Sequence, residues 1–207
     1  MERMDEEFRA HVQIVDPEMY NLVMRHPSLS IPSPGPPFES LVRIVVGQQL
    51  SVKSAASAMS NLIQTLGGEV SPNQIQSAGF ESIRSAGLSG AKCRCLMAIA
   101  DYAGSDSKKL IVLMSEPWPD VRAELLKLRG IGPWTADMFA MLGLALPDVF
   151  SSCDFGLRVA MESHLHILPK QKPAVYDQRA LCWSPYRTMA SLHLWHSLKA
   201  DAARFAH

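Results

Sequence analysis

The sequence predicts an all-α protein, and three features indicate this class. Apolar residues recur at intervals of three and four along most of the 207-residue chain, which is the spacing of one face of a helix. Glycine and proline interrupt these segments at short intervals, as they do between helices joined by tight turns. No run of strict apolar–polar alternation and no Asn-Gly turn indicates a strand or a hairpin.

The predicted helices can be followed in order along the chain. The first is a short amphipathic helix that starts at Asp16-Pro17-Glu18, and a loop with four prolines, Ile31–Pro37, follows it because prolines at this density exclude a helix or a central strand. The later helices are predicted from Phe38 to Val46, from Ser51 to Ile63, between Ser71-Pro72 and Ala78-Gly79, from Ala91 to Tyr102, from Pro117 to Leu128, from Thr135 to Leu144, from Asp154 or Phe155 onward, and from about Tyr186 to Phe205.

Composition excludes several classes of protein. Twenty basic residues balance twenty acidic ones, so no overall field draws the chain to a polyanion or a membrane, and a nucleic-acid partner would have to be bound by local geometry. Apolar runs such as Leu110–Met114 are far shorter than the roughly 20 residues that span a bilayer. The acidic start, with Glu2, Asp5, Glu6 and Glu7, is unlike a signal peptide, so we expect an intracellular, soluble protein.

Cysteine and histidine spacing does not predict a metal site. The cysteines are Cys93, Cys95, Cys153 and Cys182. This spacing fits reduced thiols and lacks the four-cysteine cluster of an iron–sulfur protein. The histidine pairs are His164 with His166 and His193 with His196. No acidic or thiol ligand accompanies either pair at suitable spacing, so we expect solvent-facing or hydrogen-bonded histidines.

The most informative segment is Leu126–Ala136, which has the pattern of a helix, a tight turn and a second helix. Gly130 and Gly132 allow positive φ and a close backbone approach, and Ile131 between them can insert into the core. The backbone N–H groups of Gly130, Gly132 and Trp134 lead into the second helix, where they can hold a phosphate without net positive charge. A Gly-x-Gly turn alone equally fits a plain connection between helices.

A second motif follows 22 residues after Gly132, where Asp154 begins a predicted helix. Together these segments resemble the helix-hairpin-helix DNA glycosylase superfamily, and in detail its alkylated-base branch, the 3-methyladenine DNA glycosylase II family. The resemblance covers about residues 38–200. The segments that carry it are Val46-Gly47-Gln48-Gln49-Leu50-Ser51, Gly87-Leu88-Ser89 with Lys92, Leu128 to Ala136, Asp148-Val149-Phe150 with Asp154, and Trp183 to Arg187 with Leu194-Trp195.

The resemblance implies a fold of two helical lobes with the active-site cleft between them, without the extra N-terminal β domain of some relatives. In this arrangement, residues 1–37 form an N-terminal helix and a proline-rich loop that pack with the C-terminal lobe. Residues 38–150 form the lobe with the helix-hairpin-helix, and residues 151–207 form the C-terminal lobe. We expect a monomer.

The implied activity is that of a monofunctional DNA glycosylase of base excision repair. Such an enzyme flips an alkylated purine, 3-methyladenine or 7-methylguanine, out of duplex DNA and hydrolyses its N-glycosidic bond. The resemblance implies that Asp154 stabilises the oxocarbenium-like sugar and helps water to attack. On its own, Asp154 equally fits a helix N-cap, and a helix N-terminus favours its ionised form. The alternative is a non-catalytic protein that binds alkylated DNA.

Trp134 stands where bifunctional members of the superfamily carry a lysine nucleophile. Tryptophan cannot form a Schiff base, so no strand-cleaving lyase activity is expected. The resemblance implies that Trp134 forms a wall of the base pocket, where its indole face attracts a cationic base. The alternative is a core tryptophan that seals the hairpin.

The resemblance also assigns the DNA contacts. The hairpin residues expected at DNA are Gly130, Ile131, Gly132, Pro133 and Thr135, and the candidates for a minor-groove wedge are Gln48, Gln49, Leu50 and Ser51. For the wedge candidates, spacing alone equally fits residues that cap helix ends. Backbone carbonyls near Leu128 and Ile131 can hold a structural Na⁺ or K⁺, and no other cofactor is expected. The expected partner is double-stranded DNA with alkylated bases, in the cytoplasm or nucleoid of a prokaryote or the nucleus of a eukaryote.

Overall fold

A computed structural model describes residues 2–104 and 107–204, with side chains for 3–104 and 107–198. Within these ranges the chain forms helices and no strands, which confirms the all-α class. The helices are α1 Glu2–Val15, α2 Pro17–Val23, α3 Pro37–Gly47, α4 Val52–Thr65, α5 Pro72–Ser85, α6 Gly90–Ala103, α7 Lys108–Leu113, α8 Trp118–Leu125, α9 Pro133–Met138, α10 Phe155–His164, α11 Pro173–Ala180 and α12 Arg187–Arg204. A π-helical turn, Phe139–Gly143, extends α9, and a 3₁₀ turn, Leu181–Trp183, follows α11.

The chain divides into two compact units, residues 34–144 and residues 1–33 with 145–207, here called the hairpin unit and the terminal unit. The boundaries lie at 33/34 and 144/145, where the sequence predicted 37/38 and 150/151. Residues 34–37 lead directly into α3, because the Pro36 carbonyl accepts the Ser40 N–H at 2.9 Å. The segment after residue 144 belongs with α12, because Thr188 Oγ1 donates to the Leu146 carbonyl at 2.6 Å.

The hairpin unit is built around α6, which contacts α3, α5 and α7. Its interior face contributes Leu96 and Ile99, both fully buried, to a core that also contains Leu41 and Val45 from α3. Ser89 begins α6 by accepting the Lys92 N–H at 3.3 Å, so a side-chain cap replaces one missing helical partner.

The terminal unit joins the N-terminal helices to the C-terminal ones around a second core. Asp16 connects them, since it caps α2 by accepting the Met19 N–H at 3.2 Å and also accepts the indole N–H of Trp183 at 2.7 Å. Burial raises the pKa of Asp16, but hydrogen bonds from Arg179 and Trp183 outweigh it and hold the pKa below its ordinary value. Phe8 of α1 is buried in the same core.

Several predicted helices are confirmed, and other helices of the structure were not predicted. The predicted helices at 38–46, 51–63 and 91–102 correspond to α3, α4 and α6. Gly79, with the non-helical backbone angles φ +70° and ψ 172°, interrupts α5 where the sequence predicted a helix end, and a further helical segment runs from there to Ser85. The sequence analysis did not predict α1, α7 or α11, and the predicted last residue of α12, Phe205, lies outside the described residues.

None of the helices among the described residues has both the length and the apolar character that a membrane crossing requires.

Candidate functional site

The hairpin between α8 and α9 has one glycine that must be glycine. Gly130 adopts φ +89°, and a Cβ built on it would lie 2.7 Å from the Cβ of buried Cys95. Gly132 is the N-cap residue of α9 with φ −101°, and no atom lies within 4 Å of its hypothetical Cβ. Both glycines allow positive φ, and of the two only Gly130 adopts it. Ile131 is 5% exposed and packs in the core, as predicted.

The loop between α3 and α4, residues 47–51, is here called the wedge loop and lies beside this hairpin. Gln48 Nε2 donates to the Gly130 carbonyl at 3.2 Å and to Thr135 Oγ1 at 2.9 Å. Lys92 Nζ of α6 donates to the Val46 carbonyl at 2.8 Å, so the last turn of α3 is held from the side. Burial lowers the pKa of Lys92 from its ordinary value.

The four wedge candidates differ in what their side chains do. Gln48 is half-buried and bonded to the hairpin, and Ser51 caps α4 by accepting the Ser54 N–H at 3.2 Å. Gln49 has φ +56°, a left-handed conformation that turns the chain, and its side chain is exposed. Leu50 is 41% exposed. Gln49 and Leu50 therefore protrude from the wedge loop.

Trp134 is half-buried and lines an apolar cavity of about 280 Å³ in the hairpin unit. The other lining residues are Ser40, Arg43, Ile44, Gly47, Met138, Leu142 and Gly143. The π-helical turn supplies one wall, and its close packing needs Gly143, because a Cβ there would lie 2.6 Å from the Phe139 ring. Met138 is buried, and no signal in the sequence places it at this cavity.

Asp154 is the N-cap residue of α10, and it is half-buried. Its Oδ1 accepts the backbone N–H of Leu157 at 2.8 Å and the indole N–H of Trp195 at 3.0 Å. Two N–H donors and the start of a helix therefore face this carboxylate. The space beside it is narrow, since a Cβ on Gly156 would lie 3.2 Å from Asp154 Oδ1 and 3.4 Å from the Trp195 ring.

Sequence reasoning missed the contact of Trp195 with Asp154, because a tryptophan in a long amphipathic helix equally fits the core. It also missed Phe155, the first residue of α10, whose ring is 72% exposed directly after Asp154. The available signal in the sequence was an aromatic residue directly after a candidate capping aspartate.

The segment that leads to Asp154 is fixed to α12 and α11. Thr188 Oγ1 accepts the Val149 N–H at 3.2 Å, and Arg187 Nε donates to Asp148 Oδ1 at 2.6 Å. Burial raises the pKa of Asp148, but its bonds with Arg187 and Ser184 outweigh it and hold the pKa below its ordinary value. These contacts fix the backbone segment that leads to the Asp154 carboxylate.

No group of three or more histidine, cysteine or acidic side chains among the described residues is arranged to hold a metal ion. Cys95 is buried beside the hairpin, and burial raises the pKa of its thiol to about 11. His193 is fully buried, with Nε2 bonded to Asp5 Oδ1 at 2.6 Å and Nδ1 lying 3.1 Å from Nδ1 of His26. The prediction of a hydrogen-bonded histidine is confirmed for His193.

Comparison with known proteins identifies relatives of this chain. It is 34% identical over 191 residues to the "Probable bifunctional transcriptional activator/DNA repair enzyme AlkA" of Mycobacterium tuberculosis, with 89% of this chain and 38% of the relative covered. It is 32% identical over 171 residues to DNA-3-methyladenine glycosylase 1 of Schizosaccharomyces pombe, with 79% and 73% covered. The chain thus spans well under half of the mycobacterial relative.

Two solved structures have a similar fold. The 3-methyladenine DNA glycosylase Mag1 of Schizosaccharomyces pombe, solved in complex with abasic DNA, has a TM-score of 0.81 and 26% identity, covering 93% of this chain and 97% of that one. The DNA-3-methyladenine glycosidase of Bacillus halodurans has a TM-score of 0.78 and 28% identity, covering 93% and 89%. The model of the HhH-GPD superfamily of base excision DNA repair proteins matches residues 42–185, which is more than half of the chain. The chain therefore belongs to the HhH-GPD superfamily of base excision DNA repair proteins, in its alkylated-base glycosylase branch.

Proposed function

We propose that this chain is a monofunctional DNA glycosylase that hydrolyses the N-glycosidic bond of alkylated purines in duplex DNA. The observation that carries the proposal is the carboxylate of Asp154, held at the start of α10 by the Leu157 N–H at 2.8 Å and the Trp195 indole N–H at 3.0 Å. A carboxylate with a fixed orientation at a helix terminus is suited to stabilise the positive charge that develops on the sugar in this reaction. Relatives named as DNA-3-methyladenine glycosylases support the same conclusion.

The proposed chemistry at the sugar follows from this carboxylate. The base leaves with the electron pair of the bond between its nitrogen and C1′, and positive charge develops on C1′ and the ring oxygen. Asp154 stabilises this charge and orients a water molecule, which adds to C1′ and gives up a proton to the carboxylate and from there to solvent. The products are the free base and an abasic site.

A second carboxylic acid is not needed for cationic substrates. Sugar hydrolases protonate the leaving oxygen with a general acid that works beside the first carboxylate. A purine methylated at N3 or N7 already carries positive charge and departs as a neutral molecule. Asp154 is therefore sufficient for 3-methyladenine and 7-methylguanine, and we expect these bases to leave faster than neutral ones.

The apolar cavity beside Trp134 is proposed to receive the flipped base. Its volume of about 280 Å³ exceeds that of a purine, and Ile44, Met138 and Leu142 give it apolar walls. The face of the indole attracts a cation, so the cavity favours the charged alkylated base over an unmodified one. Because no lysine stands at position 134, the chain is proposed to leave the DNA backbone uncut.

The hairpin is proposed to hold a DNA phosphate through the backbone N–H groups of Gly130, Gly132 and Trp134. Gln49 and Leu50 are proposed to enter the minor groove and fill the space of the flipped base, which offsets part of the unstacking cost. An alkali cation on the carbonyls near Leu128 and Ile131 fits this turn: the Leu128 carbonyl accepts the Ile131 N–H at 3.1 Å and keeps a second lone pair. The cation would neutralise charge next to the phosphate.

Base release from methylated duplex DNA tests the proposal. Purified protein is incubated with DNA treated with a methylating agent, and the released bases are separated by chromatography. We expect free 3-methyladenine or 7-methylguanine and intact strands, and no covalent complex after borohydride reduction. Tight binding to damaged duplex without base release would identify a lesion-binding protein instead, and a borohydride-trapped complex would identify a lyase.

A further inference from the structure

We propose that Gln48 is a positioning residue that fixes the wedge loop to the hairpin, so that phosphate capture and wedge insertion act on DNA in one fixed register. This inference rests on the proposed function, because it concerns the step in which the base leaves the stack. Gln48 itself is then excluded as the intercalating residue.

The contacts of Gln48 join two loops that are far apart in sequence. Its side-chain NH₂ group has two hydrogens, and each has an acceptor: the Gly130 carbonyl at 3.2 Å and Thr135 Oγ1 at 2.9 Å. Gly130 stands at the start of the hairpin turn, and Thr135 stands in the first turn of α9. One amide therefore spans the turn proposed to bind phosphate.

A common support lies beneath both loops. On α6, Lys92 Nζ bonds to the Val46 carbonyl at 2.8 Å, just before the wedge loop, while Cys95 contacts Gly130 so closely that no Cβ fits there. Lys92 and Cys95 are three residues apart and so lie on the same side of the helix. The wedge loop and the hairpin are thus held to one helix and, through Gln48, to each other.

The wedge loop has a conformation that suits this division of roles. The Leu50 N–H bonds to the Gly47 carbonyl at 3.1 Å, and Gln49 at φ +56° reverses the chain direction within this turn. Gln48 consequently faces the hairpin while Gln49 and Leu50 are exposed. Without the hydrogen bonds of the Gln48 amide, Gln49 and Leu50 would protrude from a loop that can shift relative to the bound phosphate.

The test replaces Gln48 with methionine, which keeps the length of the side chain and removes both N–H donors. Gln64→Met on exposed α4 surface is the matched control. Duplexes that carry 2-aminopurine next to an abasic analogue report unstacking by fluorescence without base release. Binding to undamaged duplex reports phosphate capture, and the thermal midpoint reports folding.

We expect Gln48→Met to weaken unstacking and to slow single-turnover release of methylated base by about tenfold, the effect of one or two hydrogen bonds. Undamaged-duplex binding should stay at the wild-type value, as in Gln64→Met, while the thermal midpoint falls, because Gln48→Met removes two hydrogen bonds. In a double-mutant cycle, Thr135→Val should add little to Gln48→Met, because both remove the same bond.

Three results would overturn the inference: unstacking at the wild-type level, additive effects of Gln48→Met and Thr135→Val, or an equal loss of undamaged-duplex binding and thermal stability. The proposed function would fail separately. In that case wild-type protein would release no base, while the fluorescence comparison would still decide the role of Gln48.

Discussion

Asp154 shows how a structural role and a chemical role can meet in one carboxylate. The sequence left two interpretations open, an N-cap and a reactive group. In the structure Asp154 caps α10 through Oδ1, and the same oxygen accepts the indole N–H of Trp195. The cap fixes the orientation of the group, so the two interpretations are compatible.

Trp195→Phe tests whether the indole bond positions Asp154. The substitution keeps an aromatic ring and removes the N–H, so Asp154 Oδ1 loses one of its donors. We expect the single-turnover rate of base release to fall by about tenfold, with little change in binding to abasic-analogue DNA.

The chain offers a matched control, since Trp183 also donates its indole N–H to an aspartate, Asp16, but inside the core of the terminal unit. Trp183→Phe should lower the free energy of unfolding by about 1–3 kcal/mol and leave the rate of release by folded protein unchanged. Equal rates in wild type and Trp195→Phe would contradict the positioning role.

Trp134→Ala tests the base cavity. Loss of the indole face should reduce stacking, worth about 1–3 kcal/mol per base, and with it the attraction of a cationic purine. Release of 3-methyladenine and 7-methylguanine should therefore slow, whereas neutral lesions such as hypoxanthine should be released slowly by both proteins. Rapid release of a neutral lesion that is insensitive to Trp134→Ala would show that another group carries the selectivity.

At the scale of the element, the two glycines of the hairpin differ. Gly130 is needed for folding, and Gly132 has open space for the proposed phosphate contact. Gly130→Ala should destabilise the protein by about 2–4 kcal/mol, because φ is +89° and the new Cβ would lie 2.7 Å from the Cys95 Cβ. Gly132→Ala should fold normally, since its φ is −101° and the site has open space. Thermal unfolding of both variants measures the difference.

Gly132→Asp then tests phosphate binding without disturbing the fold. Aspartate is a favoured N-cap residue, so α9 should form, but its charge would repel a phosphate at the helix start. We expect loss of duplex binding in Gly132→Asp and near-normal binding in Gly132→Asn, which has the same shape without the charge. Equal binding by the two variants would place the phosphate elsewhere.

Periodicity and turn residues predicted the central helices, because α3, α4 and α6 each bury one apolar face in the core. The same patterns could not predict α1. This helix buries Asp5, which is bonded to His193, and a buried carboxylate looks like a surface residue in a sequence. The candidate site residues Asp154 and Trp134 were predicted through the resemblance of their motifs to a known family. Trp195 and Met138 were not, because their roles depend on contacts between distant helices.

For the whole molecule, pH should act on stability through a buried histidine cluster in the terminal unit. Burial, followed by the charge of His193, lowers the pKa of His26 to about 4 from an ordinary value of 6.5. Burial also lowers the pKa of His193, although its bond to Asp5 opposes the shift. The unfolded chain therefore binds more protons than the folded one between about pH 6.5 and pH 4.

We expect the free energy of unfolding to decrease as the pH falls from about 6.5 towards 4. Below that, Asp5 and Asp16 continue the loss, because their lowered pKa values favour the folded state only while they are ionised. Urea denaturation between pH 7.5 and 4.5 measures the slope, and His26→Gln should make it shallower. A protein that gains stability on acidification would contradict this account of the cluster.

The most direct test of the central claim compares wild type with Asp154→Asn on one methylated duplex under single-turnover conditions. Asparagine keeps an oxygen that can accept the Leu157 and Trp195 N–H groups, removes the charge and replaces the second oxygen with an NH₂ group. We expect release of 7-methylguanine to fall by at least about a hundredfold, while binding to abasic-analogue DNA and the thermal midpoint are retained. Equal release by wild type and Asp154→Asn would show that this carboxylate does not carry the reaction.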